Sequence, residues 1–156
     1  MKKFLFFILS ITFLLALSED LMVIESKLYS KIIKLHTHKE NVKIGIVCNK
    51  LPCENAKKLE KFLKLNRISA FIVTKDNLKN ADAYILAVKN PSKECIDALL
   101  KRQRLIFSLH PENIKYAMIS IYIGPKIKLL INPKFIKKAN IRINPIFFKV
   151  GKIYEE

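Results

Sequence analysis

Few residues in this chain have types and spacing that could do chemistry. They are three cysteines, Cys48, Cys53 and Cys95, and the pair in His36-Thr37-His38. Three thiols cannot all pair within one chain, so at most one intramolecular disulfide is expected. No Cys-x-x-Cys spacing occurs, which argues against a thioredoxin-like redox site and against a zinc ribbon. Cys48–Cys95 is the favoured bridge, ahead of Cys53–Cys95. Neighbouring parallel strands would set Cys48, at the end of the first strand, level with Cys95 in the helix after the third. His36 and His38, with His110 as a distant third, fall short of the three or four matched ligands of a metal centre. They read as a helix end, and no metal is expected.

Catalytic and cofactor signatures are missing as well. Gly45, Gly124 and Gly151 are the only glycines, which leaves no phosphate-cradling G-x-G-x-x-G or Walker loop. A G-x-S-x-G nucleophile elbow is also absent. Glu54, Glu60, Glu94 and Asp97 are spaced as solvated helix residues, with no two forming an acid–base pair. The expectation is a protein that binds without turnover, with no catalytic residue and no cofactor. The candidate partner contacts are Tyr122, on the wetter parity of its strand, and Lys57 and Lys61. These two belong to the row Lys57, Lys58, Lys61 and Lys64, a solvated helix face able to steer an acidic partner. Phe147 and Phe148 read as core.

Periodic apolar residues define the elements that would position these groups. Leu21, Ile24, Leu28, Ile32 and Leu35 recur at helical spacing and predict an amphipathic helix with that stripe on the core. Asn41–Cys48 is a dense β-branched run of strand length that ends at Leu51-Pro52. A second amphipathic helix is expected over Pro52–Leu65, then strands over Ile68–Thr74 and Ala83–Val88. Asn90-Pro91 reads as the cap and first position of a third helix. Leu105–Leu109 is a fourth buried strand. Strands separated by helices imply parallel pairing with helices on both faces, an α/β domain. After Pro111, alternating Ile119–Ile123 and Lys126–Ile131 flank Gly124-Pro125 and predict an antiparallel hairpin near the C-terminus. Asn132-Pro133 and Asn144-Pro145 would start two short closing helices.

Ahead of these elements, Lys2-Lys3, the apolar stretch Phe4–Leu17 and Ala16-Leu17-Ser18 form the pattern of a secretory signal peptide. The apolar run is shorter than the roughly 20 residues of a membrane span. Residues 1–18 are read as a leader cleaved between Ser18 and Glu19, and 19–156 as one domain in the periplasm that does not itself span the membrane. Loss of Lys2 and Lys3 takes the formal charge from +16 to +14, still strongly basic. Nearly all of that charge is lysine, with Arg67, Arg102, Arg104 and Arg142 the only arginines. Groove readers lean on arginine for base contacts, so nucleic acid is not the expected partner.

The stretch Ala117-Met118-Ile119-Ser120-Ile121, the hairpin through Lys126–Asn132, the short helix Pro133–Ala139 and the close from Ile141-Arg142-Ile143-Asn144 to Tyr154 resemble the YfiR family of periplasmic regulators. The early strand KIGIVC and the first helix with Tyr29 fit the same layout. Ala117 stands where relatives tend to have glycine, and Pro133 and Pro145 depart from the usual helix sequences. The resemblance implies a small Rossmann-like or flavodoxin-like domain. It also implies a job: binding the periplasmic part of an inner-membrane signalling protein, a diguanylate cyclase, and restraining cyclic-di-GMP synthesis. A homodimer is a further possibility. The alternative is a small-ligand sensor, with the ligand held at the carboxyl ends of the parallel strands by Asn49–Pro52, Lys89–Ser92 and His110–Pro111.

Overall fold

The computed structural model describes residues 2–155, with side chains from Asp20 onward. Helix α1 (Lys2–Thr37) leads into strand β1 (Lys43–Val47), helix α2 (Glu54–Leu65) and strand β2 (Ser69–Val73). After a 3₁₀ turn over Lys75–Asn77 come β3 (Ala83–Leu86), α3 (Lys93–Leu100) and β4 (Leu105–Ser108). A second 3₁₀ segment, Pro111–Tyr116, leads to β5 (Ile119–Ile123), β6 (Ile127–Ile131), α4 (Pro133–Ala139), α5 (Ile146–Val150) and β7 (Lys152–Ile153). Among the described residues no helix is long and apolar enough to cross a membrane.

All seven strands form one sheet in the order β2-β1-β3-β4-β5-β6-β7. From β2 to β5 the pairing is parallel, β5–β6 is the antiparallel hairpin, and β7 runs parallel to β6. The chain is therefore an α/β domain with a mostly parallel sheet and a C-terminal hairpin. The connection through α2 moves one way along the sheet and that through α3 the other. With both crossovers right-handed, the two helices lie on opposite faces. β1, β3 and β4 are buried almost throughout, as continuous runs of Ile, Val and Leu should be between two helical layers. Gly45 in β1 has a steric reason: a Cβ there would come within 2.7 Å of the ring of the fully buried Tyr84.

Helix α1 differs from the periodicity reading. Its core face is Ser26, Tyr29, Ser30 and Ile33, together with Ile32. Leu21, Ile24 and Leu35 are exposed and Leu28 is half-buried. Two serines made the true face look polar, yet their small side chains are what let the helix approach its neighbours. The Ser26 hydroxyl donates to Val23 O at 2.8 Å and accepts from Asn66 Nδ2, at the end of α2, at 2.9 Å. Tyr29 then reaches β4, its ring edge-on to Phe107 with centroids 5.2 Å apart.

Helix boundaries moved in two other places. α3 is capped by Ser92, whose hydroxyl accepts from Cys95 N at 3.2 Å, and not by Asn90-Pro91. At α4 the expected device is present: the Asn132 side chain accepts from Phe135 N at 3.1 Å and Pro133 opens the helix. The last helix is only one turn, and Lys152-Ile153 leave it to pair with Leu130-Ile131.

Candidate functional site

The stripe expected in the core is split: Ile32 is buried, Leu28 packs half-buried against the core, and Leu21, Ile24 and Leu35 are exposed among the described side chains of α1. Leu21, Ile24, Leu28 and Leu35 lie on one side of that helix at intervals of three, four and seven residues, opposite Ser26, Tyr29 and Ile33. Lys27 and Lys31 stand exposed beside them, and Lys34 is half-buried. Glu25 sits at the margin between the two faces. Its partial burial pushes its carboxyl up to about 7. An apolar row bordered by lysines on a rigid helix has the make-up of a protein-contact surface.

A second feature lies where strand order reverses, between β1 and β3. At the carboxyl ends of these strands is a crevice of about 280 Å³, walled by Asn49, Lys50, Lys75, Asn90 and Ser92. Asn49 Nδ2 donates across it to Asn90 O at 3.5 Å. Open α/β sheets hold ligands at such switch points. Two of the three expected segments thus meet there, while His110 and Pro111 do not line it.

The disulfide is a correction. Cys48 is bonded to Cys53, with a Cα separation of 6.4 Å, and Cys95 is a free, buried thiol. The Asn49–Pro52 turn folds back so that Cys53, the residue before α2, returns to the end of β1. Cys95 rides on α3, and its Sγ makes no bond although the residue borders the same crevice as Cys48. Burial raises the Cys95 thiol above its ordinary range.

The remaining candidates are not brought together. Tyr122 is 44% exposed on β5, folded over its own hairpin turn so that a Cβ at Gly124 would meet its ring at 2.7 Å. Lys57 and Lys61 lie on the outer face of α2, near the other end of the sheet. Lys57 pairs with Glu54 at 3.3 Å and Lys61 lies over the Phe62 ring at 5.9 Å. His36 and His38 are at the end of α1, where His38 takes a left-handed φ of 55° and its N–H closes on Lys34 O. Burial, and then the nearby His38, hold His36 below the usual histidine range. His110 follows β4, the central strand, at its carboxyl end, and no group of three metal-ligating side chains forms among the described residues. Ser18 and Glu19 fall within the length of α1, but their side chains lie outside the described ones.

No family model matches the chain, and no curated protein matches it in sequence. Among solved structures it is similar to the ABC domain in complex with L-Trp from Streptococcus pneumonia, at 10% identity and a TM-score of 0.57. The match takes in 80% of this chain and 59% of that one, so the chain spans less than two thirds of that structure's length. At that identity the likeness is one of fold.

Proposed function

We propose that this chain is an extracytoplasmic regulatory binding protein that restrains an inner-membrane signalling enzyme, a diguanylate cyclase on the resemblance to YfiR-type repressors. The observation that carries this reading is the exposed row Leu21, Ile24 and Leu35 on α1, with the half-buried Leu28 between them and the core. Its lysine border and the strongly basic chain select an acidic partner surface and speed encounter with it. Binding would act by population shift, favouring one conformation of the receptor's outer domain. Driving such an equilibrium from 1:99 to 99:1 takes about 5.5 kcal/mol of differential affinity, within the range of one well-packed interface.

Gene deletion with measurement of cellular cyclic-di-GMP, alongside capture from solubilised membranes, tests it. The nucleotide should rise on deletion. The wild-type chain should capture a membrane signalling protein, and a Leu21→Asp/Ile24→Asp variant of equal melting temperature should not. Unchanged nucleotide together with no membrane partner would overturn the reading.

A small-ligand sensor is the second reading, supported by the crevice between β1 and β3 and by the fold likeness to a ligand-bound domain. A metabolite that raises the melting temperature of the wild type, but not of Asn49→Ala, would favour it.

A further inference from the structure

The layer opposite α1 holds a cleft that neither reading uses. It lies between α3, the 3₁₀ segment Pro111–Tyr116 and α4, and encloses about 380 Å³, within the range of small-molecule sites. Its floor is apolar: Pro91, Ile96, Tyr116 and Phe135, with Ile96 and Phe135 only 4% and 5% exposed. Its rim carries four ammonium groups, on Lys93, Lys115, Lys134 and Lys138, against the single carboxylate of Asp97. Among the described residues none of these four lysines joins an ion pair, although Lys34, Lys39, Lys57 and Lys64 all do. Gathering four like charges around one opening raises the energy of the empty state, and an anion between them relieves it.

A buried polar group completes the wall. Asn132 is 4% exposed; its Nδ2 donates to Ile114 O at 3.0 Å and its Oδ1 accepts from Phe135 N at 3.1 Å. A side-chain amide has two N–H donors and two lone pairs, so one of each is left over. Lys115 is already drawn over the floor, its Nζ 5.0 Å from the centre of the Tyr116 ring. A cation over an aromatic face stands ready for both halves of a ligand that is anionic at one end and apolar at the other.

We propose that this cleft binds a small organic acid, with the carboxylate among the lysines and an apolar body on Ile96, Tyr116 and Phe135. A bare inorganic anion would leave the floor wet, and a neutral apolar molecule would leave the lysines unpaired. The site lies away from the α1 stripe and shares no lining residue with the crevice between β1 and β3, which adjoins it along residues 90–96. Tyr116, Phe135, Lys115 and Lys134 line the cleft alone, so shifts and substitutions there distinguish it from binding in the crevice.

Phenylacetate and hexanoate are suitable probes, titrated by calorimetry and by amide shifts, with benzyl alcohol and inorganic phosphate as contrasts. For ligands of this size the expected dissociation constant is about 1 mM or tighter. Benzyl alcohol and phosphate should each bind at least about tenfold more weakly, and the amides of Ile96, Tyr116 and Phe135 should shift most. Lys115→Glu/Lys134→Glu, both exposed positions, should weaken the acids by about tenfold or more with the melting temperature kept. Lys57→Glu/Lys61→Glu, an equal charge change elsewhere, should leave them unchanged. The proposal is overturned if neither acid saturates by about 20 mM, if phosphate binds as well as phenylacetate, or if the rim variant binds as the wild type does.

Discussion

The Tyr29 hydroxyl on α1 donates to the backbone carbonyl of Ser108 on β4 at 3.3 Å, across 79 residues of chain. The same carbonyl accepts from the Ser120 hydroxyl at 2.8 Å, so one oxygen gathers a helix and two neighbouring strands. Tyr29 is fully buried and sets the rotation of α1 about its axis. That rotation decides which residues of the helix face outward.

Tyr29→Phe removes the hydroxyl and keeps the ring against Phe107. The Ser108 carbonyl retains Ser120 as a donor, so the expected loss is about 0.5–1.5 kcal/mol. Tyr29→Ala also empties the ring's volume and should cost about 3–5 kcal/mol. Urea unfolding of the two variants measures the difference; equal losses would mean that the ring does not anchor the helix.

Glu25 should make stability depend on pH near neutrality. Burial raises its carboxyl from 4.5 to about 7. The folded state therefore binds the proton more tightly than the unfolded chain does. This contribution is complete below about pH 4.5 and is lost as pH rises through 7. Glu25→Gln, which keeps the shape without the charge, should stabilise the protein at pH 8 by about 1–2 kcal/mol after allowing for solvent screening. The gain should shrink towards zero at pH 4.5. Denaturant midpoints across that range read it, and a pH-independent difference would contradict the assignment.

The Cys48–Cys53 bond closes a short loop between β1 and α2. Loop-closure entropy assigns it about 2 kcal/mol, so Cys53→Ala should lower unfolding free energy by that order. Peptide mapping without reductant should recover the linked pair. Cys95 should resist alkylation until the chain unfolds, since its side chain is buried.

The strands were legible because Val, Ile and Leu runs such as KIGIV and AYIL leave no other pleated arrangement open to them. The parallel pairing followed from the helices between them. What periodicity missed was that the core would take Ser26, Tyr29, Ser30 and Ile33 beside Ile32 and leave Leu21, Ile24 and Leu35 exposed. Leu21, Ile24 and Leu28 outscore Ser26 and Ser30 on any hydropathy scale, but contact with α2 rewards small side chains and a hydrogen bond from Asn66. β7 was hidden because two residues carry no alternation. Most of the crevice wall was legible, through Asn49, Lys50, Asn90 and Ser92, because open α/β sheets hold ligands at the carboxyl ends of their parallel strands; Lys75, from the turn after β2, was not. The disulfide was not, since its geometry depends on how four loop residues turn back. The lysine-rimmed cleft draws on three segments far apart in sequence, and no local pattern announces it.

Strand β5 pairs with β4 through only two residue pairs, Phe107–Ile119 and Ser108–Ser120, whereas it meets β6 along all five of its residues. The sheet thus has a weak seam between a four-stranded parallel part and the C-terminal strands β5, β6 and β7. In hydrogen exchange the two sides should behave as separate cooperative units, with β5, β6 and β7 opening together before β1 and β3 do. The seam runs through the Ser108 carbonyl that Tyr29 and Ser120 share, so loosening α1 would loosen the seam as well.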